Sequence, residues 1–139
     1  MREALTSPTL PRPRFRYSHC VRIGNTYQVS GMVALDAATG TLAVGGPGAE
    51  TRKILANLVA ALPDFGLSLD DMLVARIFTT RFDAFAEINA AWDELFSGDA
   101  PPPARMSAGV SALPLGATVE IEFTFQKDAT GGQKDRTDG

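Results

Sequence analysis

The sequence predicts an α+β domain in which one mixed β-sheet carries two helices on a single face. Three observations support this prediction. Strand-like stretches with a two-residue alternation flank the chain's middle region, two stretches have the one-sided apolar stripe of a helix, and the element order is ββαβαββ. The chain has 139 residues, of which 45% are hydrophobic, so a single domain can bury a sizeable core.

The first half of the domain begins with two strands. Residues 17–23 and 27–35 have strand-like composition, and the turn residues Gly24 and Asn25 separate them. A turn and a loop follow over residues 36–48. A helix is expected over residues 49–62, where one stripe holds Ile54, Leu55, Leu58, Val59 and Leu62, and Pro63 is expected to end it.

The second half continues with a strand, a helix and two further strands. Residues 71–80 are apolar at most positions, which predicts a central strand. Residues 83–96 predict a helix with a core-facing stripe of Phe85, Ile88, Trp92, Leu95 and Phe96. A Pro-rich connector spans residues 98–103, and residues 103–125 predict a β-hairpin.

The predicted hairpin contains one arginine and two glutamates. Residues paired across antiparallel strands project to the same side, so Arg105, Glu120 and Glu122 are expected on one face, opposite the apolar residues. Such charges often lie on a solvated face, where ion pairs contribute little. Here Ser107 and Gly109 accompany Arg105, and small residues let a ligand approach closely. The pattern alone therefore leaves both a solvated face and a pocket open.

Composition excludes several classes of function. The net charge is −3 and the basic residues are scattered, so nucleic acid is not an expected partner. One cysteine, Cys20, and one histidine, His19, make a disulfide and a transition-metal site improbable, and Cys20 is interpreted as a buried apolar residue. The sequence contains neither a membrane-spanning run nor a secretory signal. We therefore expect a cytoplasmic protein with no membrane partner.

The two ends of the chain differ in composition from the middle. Residues 1–14 are Pro-rich and are expected to form an irregular leader, residues 15–127 the domain, and residues 128–139 a disordered tail. In the domain, two helices leave one sheet face uncovered, and its predicted residues are mostly small or polar. Burial against other subunits in a closed assembly would suit that face, with Arg105 and Glu120 in a pocket between subunits.

Segments throughout residues 17–127 resemble the reactive intermediate (enamine/imine) deaminases, the RidA or YjgF-like family. The last two matching segments are specific to that family when they occur together. In chain order, the matching segments are Tyr17-Ser18, Gly24-Asn25, Val29-Ser30-Gly31, Asp36 to Gly40, Asn57-Leu58, Phe85 to Asn89 with Trp92 and Phe96, Pro103-Ala104-Arg105, and Leu113-Pro114 through Glu122.

The resemblance implies a chorismate-mutase-like domain of the ferredoxin type, assembled as a homotrimer with active sites between subunits. It also implies a reaction without a cofactor or metal, in which 2-aminoacrylate-type enamines and their imine tautomers are hydrolysed to 2-keto acids and ammonia. The substrate would be a small carboxylate.

The same resemblance implies roles for particular residues. Arg105 would hold the substrate carboxylate with two hydrogen bonds, and Glu120 would orient or deprotonate the attacking water. The backbone at Ser107 and around Ser30 and Gly31 would contact the nitrogen side of the substrate. Tyr17 would close the pocket. Glu122 is expected to be structural rather than catalytic.

The chain departs from the family pattern near the expected pocket rim. Phe15-Arg16 stands where Gly-Pro is common, His19 and Met32 stand where Gln is frequent, and Ser107 stands where Cys is frequent. His19 is interpreted as a structural or rim residue rather than an acid or base. Two other functions stay open: a trimer that binds 2-keto acids without turnover, and a divergent hydrolase of a catabolic pathway.

Overall fold

The computed structural model describes residues 1–127, and the predicted tail over residues 128–139 lies outside them. Six strands and two helices are present in the described range. They are β1 (Glu3–Leu5), β2 (Cys20–Ile23), β3 (Thr26–Met32), α1 (Pro47–Phe65), β4 (Met72–Thr79), α2 (Phe85–Leu95), β5 (Ala104–Gly109) and β6 (Val119–Gln126). Short 3-10 turns, Leu69–Asp71, Phe82–Ala84 and Pro114–Gly116, precede β4, α2 and β6.

All six strands form one mixed sheet, which confirms the predicted α+β architecture. The strand order is β1-β2-β3-β6-β4-β5; β4 and β5 are parallel, and the other neighbours are antiparallel. The core consists of one side of this sheet and the apolar stripes of the helices. Four alternate side chains of β6 are fully buried in it, namely Val119, Ile121, Phe123 and Phe125.

The predicted hairpin over residues 103–125 is wrong. Both of its strands form, but β5 pairs with β4, and β6 lies between β3 and β4. A strand with a fully buried apolar side is best placed centrally, where both of its edges are hydrogen-bonded. Strand β5 lies at the sheet edge, where Met106 is 45% exposed. Helix α2 provides the long crossover that parallel β4 and β5 require.

This topology also corrects the prediction that Arg105 and Glu120 share a face. In the sheet register, Arg105 is the neighbour of Ala75, which is fully buried on the core side. Glu120 is the neighbour of Phe78, three residues further along β4. Side chains alternate along a strand, so an odd separation reverses the face. Arg105 therefore lies on the helix side of the sheet, and Glu120 lies on the open side.

The leader is partly regular, so the expectation that residues 1–14 are wholly irregular is wrong for Glu3–Leu5. This segment extends the sheet by pairing with β2. Further along, the buried His19 ring binds the leader from both nitrogens: Nδ1 accepts from the Ser7 N–H at 3.2 Å, and Nε2 donates to the Pro11 carbonyl at 2.8 Å. His19 is thus structural, as expected. The domain boundary at residue 15 stays a prediction.

Helix α1 is longer than predicted. Pro63 does not end it but lies within its last turn. The helix ends instead at Phe65, and the next residue, Gly66, has a φ of 72°, which is in the left-handed region. The Gly66 N–H donates to the Pro63 carbonyl at 3.1 Å, which closes the helix end.

Cys20 is fully buried in β2, as its interpretation as a small apolar residue predicts. Burial raises the pKa of its thiol to about 11, so the reactive thiolate is disfavoured at neutral pH. Within residues 1–127, no helix combines the length and apolarity that a membrane crossing needs.

Candidate functional site

Arg105 lies on the helix side of the edge strand β5, against one stripe of α2. Phe85, Asn89 and Trp92 are spaced four and three residues apart, so they project from the same side of that helix. The Arg105 guanidinium carbon lies 5.5 Å from the Phe85 ring centroid and 5.3 Å from that of Trp92. Its Nη2 donates to Asn89 Oδ1 at 2.8 Å. Two rings and one amide therefore orient the guanidinium.

The environment of Arg105 favours an anionic ligand. Among residues 1–127, no carboxylate lies within ion-pair distance of its guanidinium, although five other ion pairs form. Asn89 occupies one of the five N–H donors of the guanidinium. The remaining donors can bind a planar carboxylate with two parallel hydrogen bonds. Asn89 is in a segment that matches the family, but sequence reasoning did not connect it with Arg105, because that contact depends on the position of β5.

Glu120 lies on the open side of β6, against the backbone of Gly31. A Cβ atom at Gly31 would stand only 2.5 Å from Glu120 Oε2, so glycine leaves the space that this carboxylate occupies. The register of β3 against β6 shifts between Val29 and Met32, next to this contact. Burial raises the pKa of the Glu120 carboxyl above its ordinary value, and the negative charge of Glu122 raises it further. A raised pKa makes the carboxylate a stronger base.

Glu122, two residues along β6 on the same side, belongs to a polar network. Its Oε1 accepts hydrogen bonds from Arg76 Nη1 at 3.1 Å and from Gln28 Nε2 at 3.3 Å. Thr124 closes the network by donating to Gln28 Oε1 at 2.6 Å. The Arg76 cation therefore pairs with Glu122, whereas no cation in residues 1–127 is paired with Glu120. This arrangement supports a structural role for Glu122 and leaves Glu120 available for proton transfer.

The other predicted site residues are distributed between the two faces. Tyr17 precedes β2 and is 54% exposed. Ser30 holds the preceding segment against β3, because its Oγ donates to the Ser18 carbonyl at 2.6 Å and its N–H donates to the His19 carbonyl at 3.0 Å. Ser107 lies two residues beyond Arg105 on the helix side of β5.

Two groups result from these positions in a single chain. Arg105 and Ser107 accompany Asn89 at the sheet edge, and Glu120 accompanies Gly31 on the open face. The roles that the resemblance implies for these residues stay predictions. Within one chain, the sheet separates these two groups.

One buried carboxylate near the site was missed by sequence reasoning. Glu50, in the first turn of α1, is 5% exposed and accepts three hydrogen bonds. They come from the Thr118 N–H at 2.9 Å, the Thr118 hydroxyl at 2.7 Å and the Val119 N–H at 3.3 Å. Glu50 therefore fixes the backbone immediately before Glu120. A glutamate near a helix start is common in sequences and carries no signal for this long-range contact.

No metal site is evident near these groups. Within the described range, no three His, Cys, Asp or Glu side chains gather closely enough to bind a metal ion.

Comparisons with known proteins agree on one family. The family model described as endoribonuclease L-PSP matches residues 8–126. A 2-iminobutanoate/2-iminopropanoate deaminase from Dermatophagoides farinae is 33% identical over 118 residues, which cover 85% of this chain and 91% of the relative. The 2-iminobutanoate/2-iminopropanoate deaminase of Mus musculus is 30% identical and covers 88% of this chain and 89% of its own.

Solved structures show the same fold. The structure of RidA from the Antarctic bacterium Psychrobacter sp. PAMC 21119 has a TM-score of 0.81 at 30% identity, covering 90% of this chain and 99% of its own. The Rid-family protein YyfA of Yersinia pestis has a TM-score of 0.86 at 28% identity, covering 91% and 100%. This chain therefore belongs to the RidA/YjgF-like family, the group that the endoribonuclease L-PSP model describes.

Proposed function

We propose that this protein is a hydrolytic deaminase of reactive enamine and imine intermediates of the 2-aminoacrylate type, releasing 2-keto acids and ammonia. The observation that carries the proposal is the guanidinium of Arg105, which Asn89 orients and which has no carboxylate partner in the described chain. The name and 33% identity of the deaminase from Dermatophagoides farinae support the same reaction.

The proposed active site forms between copies of the chain in a homotrimer. Arg105 and Glu120 occupy opposite faces of one sheet, so Arg105 of one copy would meet Glu120 of its neighbour. The open face of the sheet is uncovered and would be available for that contact. It includes the partly exposed ion pair of Arg76 and Glu122 and the exposed Met106. A closed ring of three copies would repeat the same contact three times and leave no copy without a partner.

The proposed mechanism starts with the carboxylate of the imine on Arg105, which holds the electrophilic carbon in place. Glu120 takes a proton from a water molecule as the water oxygen forms a bond to that carbon. The same proton passes from Glu120 to the former imine nitrogen, which gives a neutral tetrahedral carbinolamine. Glu120 then moves the hydroxyl proton of the carbinolamine to that nitrogen as the C–N bond breaks, so ammonia leaves as the carbonyl forms. One water is consumed for each keto acid and ammonia produced. Enamine substrates first tautomerise to imines, gaining a proton at carbon and losing one from nitrogen.

The remaining predicted residues would shape this site. Gly31 would let the Glu120 carboxylate lie against its backbone, and the backbone at Ser30, Gly31 and Ser107 would contact the nitrogen side of the substrate. Tyr17 would cover the pocket with its ring. The exposed position of Tyr17 is consistent with contact across a subunit boundary.

The test is hydrolysis of an imine made in place. An L-amino acid oxidase generates 2-iminobutanoate, semicarbazide captures the imine that escapes, and the protein should reduce that capture while keto acid forms faster. Arg105→Ala should remove the effect, whereas Arg81→Ala, which changes an exposed arginine paired with Asp83, should retain it. Equal capture with and without the protein would contradict the proposal.

The second candidate function is binding of 2-keto acids without turnover. Arg105 and Glu120 lie on opposite faces of the sheet, and this separation favours binding alone if the chain acts by itself. An unassembled chain would keep a carboxylate-binding guanidinium without a base beside it. Calorimetry with 2-ketobutyrate, combined with absent turnover, would support this function. Absence of both binding and turnover would exclude it.

A further inference from the structure

Two phenylalanines form a stacked pair at the start of α2. The rings of Phe82 and Phe85 lie 4.6 Å apart with an angle of 4° between their planes. Phe82, in the 3-10 turn before the helix, is 48% exposed, so much of its apolar surface contacts solvent. We call this pair the aromatic wall.

The aromatic wall lies beside the same strand as Arg105. A Cβ atom at Gly109 would stand 3.5 Å from Phe82 Cδ2, which places the Phe82 ring over the end of β5. The Phe85 ring centroid lies 5.5 Å from the Arg105 guanidinium carbon. Arg105, Ser107 and Gly109 alternate along one side of β5. This side of β5 therefore has a cation at one end, small residues beyond it and the aromatic wall beside them.

The distance between Arg105 and Phe82 suits a particular substrate shape. The Phe82 ring centroid lies at most about 10 Å from the Arg105 guanidinium carbon, because the Phe85 ring centroid is 4.6 Å from the first and 5.5 Å from the second. A bound carboxylate and an apolar side chain can span that distance. A substrate carboxylate on Arg105 would point its side chain over Ser107 toward Phe82. Short side chains would stop before that ring, whereas an aromatic or branched apolar side chain would reach it and cover its exposed surface.

We infer that the aromatic wall selects 2-imino acids with an aromatic or bulky apolar side chain, and that Phe82 is the residue that determines this preference. This inference rests on the proposed function, because it assigns a substrate class to the same Arg105 site. It follows from the position of Phe82 next to Gly109, since that position puts an exposed ring on the arginine side of the strand.

The test compares kcat/KM for imines made from phenylalanine, leucine and alanine by an L-amino acid oxidase. Wild-type protein should favour the phenylalanine-derived imine, and Phe82→Ala should lower kcat/KM for it about tenfold, the effect of a lost apolar contact in a specificity pocket. The alanine-derived imine should change less than about twofold. Phe82→Leu should retain part of the preference. Val59→Ala, an exposed apolar change on α1, is the matched control and should retain all of it.

Two results would overturn the inference. One is the same ratio of phenylalanine-derived to alanine-derived kcat/KM in wild type and Phe82→Ala. The other is dissociation of the assembly by Phe82→Ala with unchanged ratios in the remaining oligomer, which would identify Phe82 as a subunit contact. Circular dichroism and light scattering separate these cases from misfolding.

Failure of the proposed function would be recognised separately. If wild-type protein hydrolyses no imine at all, the deaminase proposal is wrong, and calorimetry with phenylpyruvate and pyruvate then decides the inference. Tighter binding of phenylpyruvate that Phe82→Ala removes would support the aromatic wall as a selectivity element. Equal affinities of wild type for the two keto acids would contradict it.

Discussion

Glu50 accepts hydrogen bonds from both the backbone N–H and the hydroxyl of Thr118, at 2.9 and 2.7 Å. The contact joins the first turn of α1 to the chain that enters β6, two residues before Glu120. A buried carboxylate persists in a fold only if its oxygens are hydrogen-bonded, and here three donors serve it. A charged helix residue thus sets the position of the carboxylate that we propose as the base.

Replacing Glu50 by alanine should destabilise the protein by about 2–3 kcal/mol, because the buried Val119 N–H and the partly buried Thr118 N–H would lose their acceptor. Glu50→Gln keeps one acceptor oxygen and should lose less. Urea unfolding followed by circular dichroism measures the difference. Glu94→Ala, which removes an exposed partner of Arg52, is the control and should leave the urea midpoint unchanged. An unchanged midpoint in Glu50→Ala would contradict a stabilising role.

Gly31→Ala should impair activity by at least about tenfold while the fold persists, since a misplaced catalytic group can cost a hundredfold. The added Cβ would come within 2.5 Å of Glu120 Oε2 and force the carboxylate to move. Gly98→Ala is a matched control, because a Cβ at Gly98 meets no atom within 4 Å. Imine hydrolysis rates and thermal unfolding should be measured for both variants. Full activity in Gly31→Ala would show that the position of Glu120 is not critical.

Glu120 should make stability fall as pH rises. Burial, and then repulsion from Glu122, raises its pKa in the folded chain, so the folded state binds more protons than the unfolded state between the ordinary and the raised pKa. Stability is therefore complete below the ordinary pKa and is partly lost above the raised one. Glu120→Gln should be more stable than wild type at pH 7, and this advantage should vanish in acid. Urea midpoints of both proteins across pH 3–7 measure this difference in stability. Equal midpoints at pH 7 as well as at pH 3 would exclude the raised pKa.

The catalytic activity of the protein should depend on pH in the opposite direction to its stability. A base must be unprotonated, so kcat/KM should fall as acid protonates Glu120. Glu122→Gln removes the repelling charge and should move this fall to lower pH. A pH–rate profile of both proteins measures the shift, and coincident profiles would show that Glu122 does not influence the base.

Asn89 should influence substrate binding more than turnover. Its amide oxygen orients Arg105, so Asn89→Ala should raise KM about fivefold with little change in kcat, a modest hydrogen-bond effect. Asn89→Asp should raise KM further, because a carboxylate there would pair with the guanidinium and compete with the substrate. Steady-state kinetics on both variants measure the two effects. A lower KM in Asn89→Asp would contradict the carboxylate-binding role of Arg105.

Mixed assemblies should recover activity that each parent lacks. Arg105→Ala and Glu120→Gln chains should both be inactive alone, but a site that takes each residue from a different copy can be complete in a mixed trimer. Random assembly of equal amounts should restore about one quarter of wild-type activity. A site is complete only if one copy supplies an intact Arg105 and its neighbour an intact Glu120, and each is present in half of the chains. Refolding the two variants together and separately, followed by the imine assay, tests this. No recovery would place both residues of a site in one chain.

Local patterns in the sequence determined most of the secondary structure and the family. The strand expected over residues 71–80 is β4 (Met72–Thr79), and the alternation around Phe123 marks β6 correctly. Alternation and helical periodicity depend on residues that are near in sequence, so a single chain reveals them. The segments around Arg105 and Glu120 likewise sufficed to indicate the RidA/YjgF-like family, which the comparisons confirm.

Tertiary structure alone decided which strands are neighbours, and with them the faces of Arg105 and Glu120. A strand's alternation shows which residues share a side, but it does not identify the strand alongside, since backbone hydrogen bonds are the same for every partner. Burial of β6 on its apolar side selected β3 and β4 as its neighbours and left β5 at the edge. For the same reason the contact between Glu50 and Thr118, 68 residues apart, exists only once the whole core has packed.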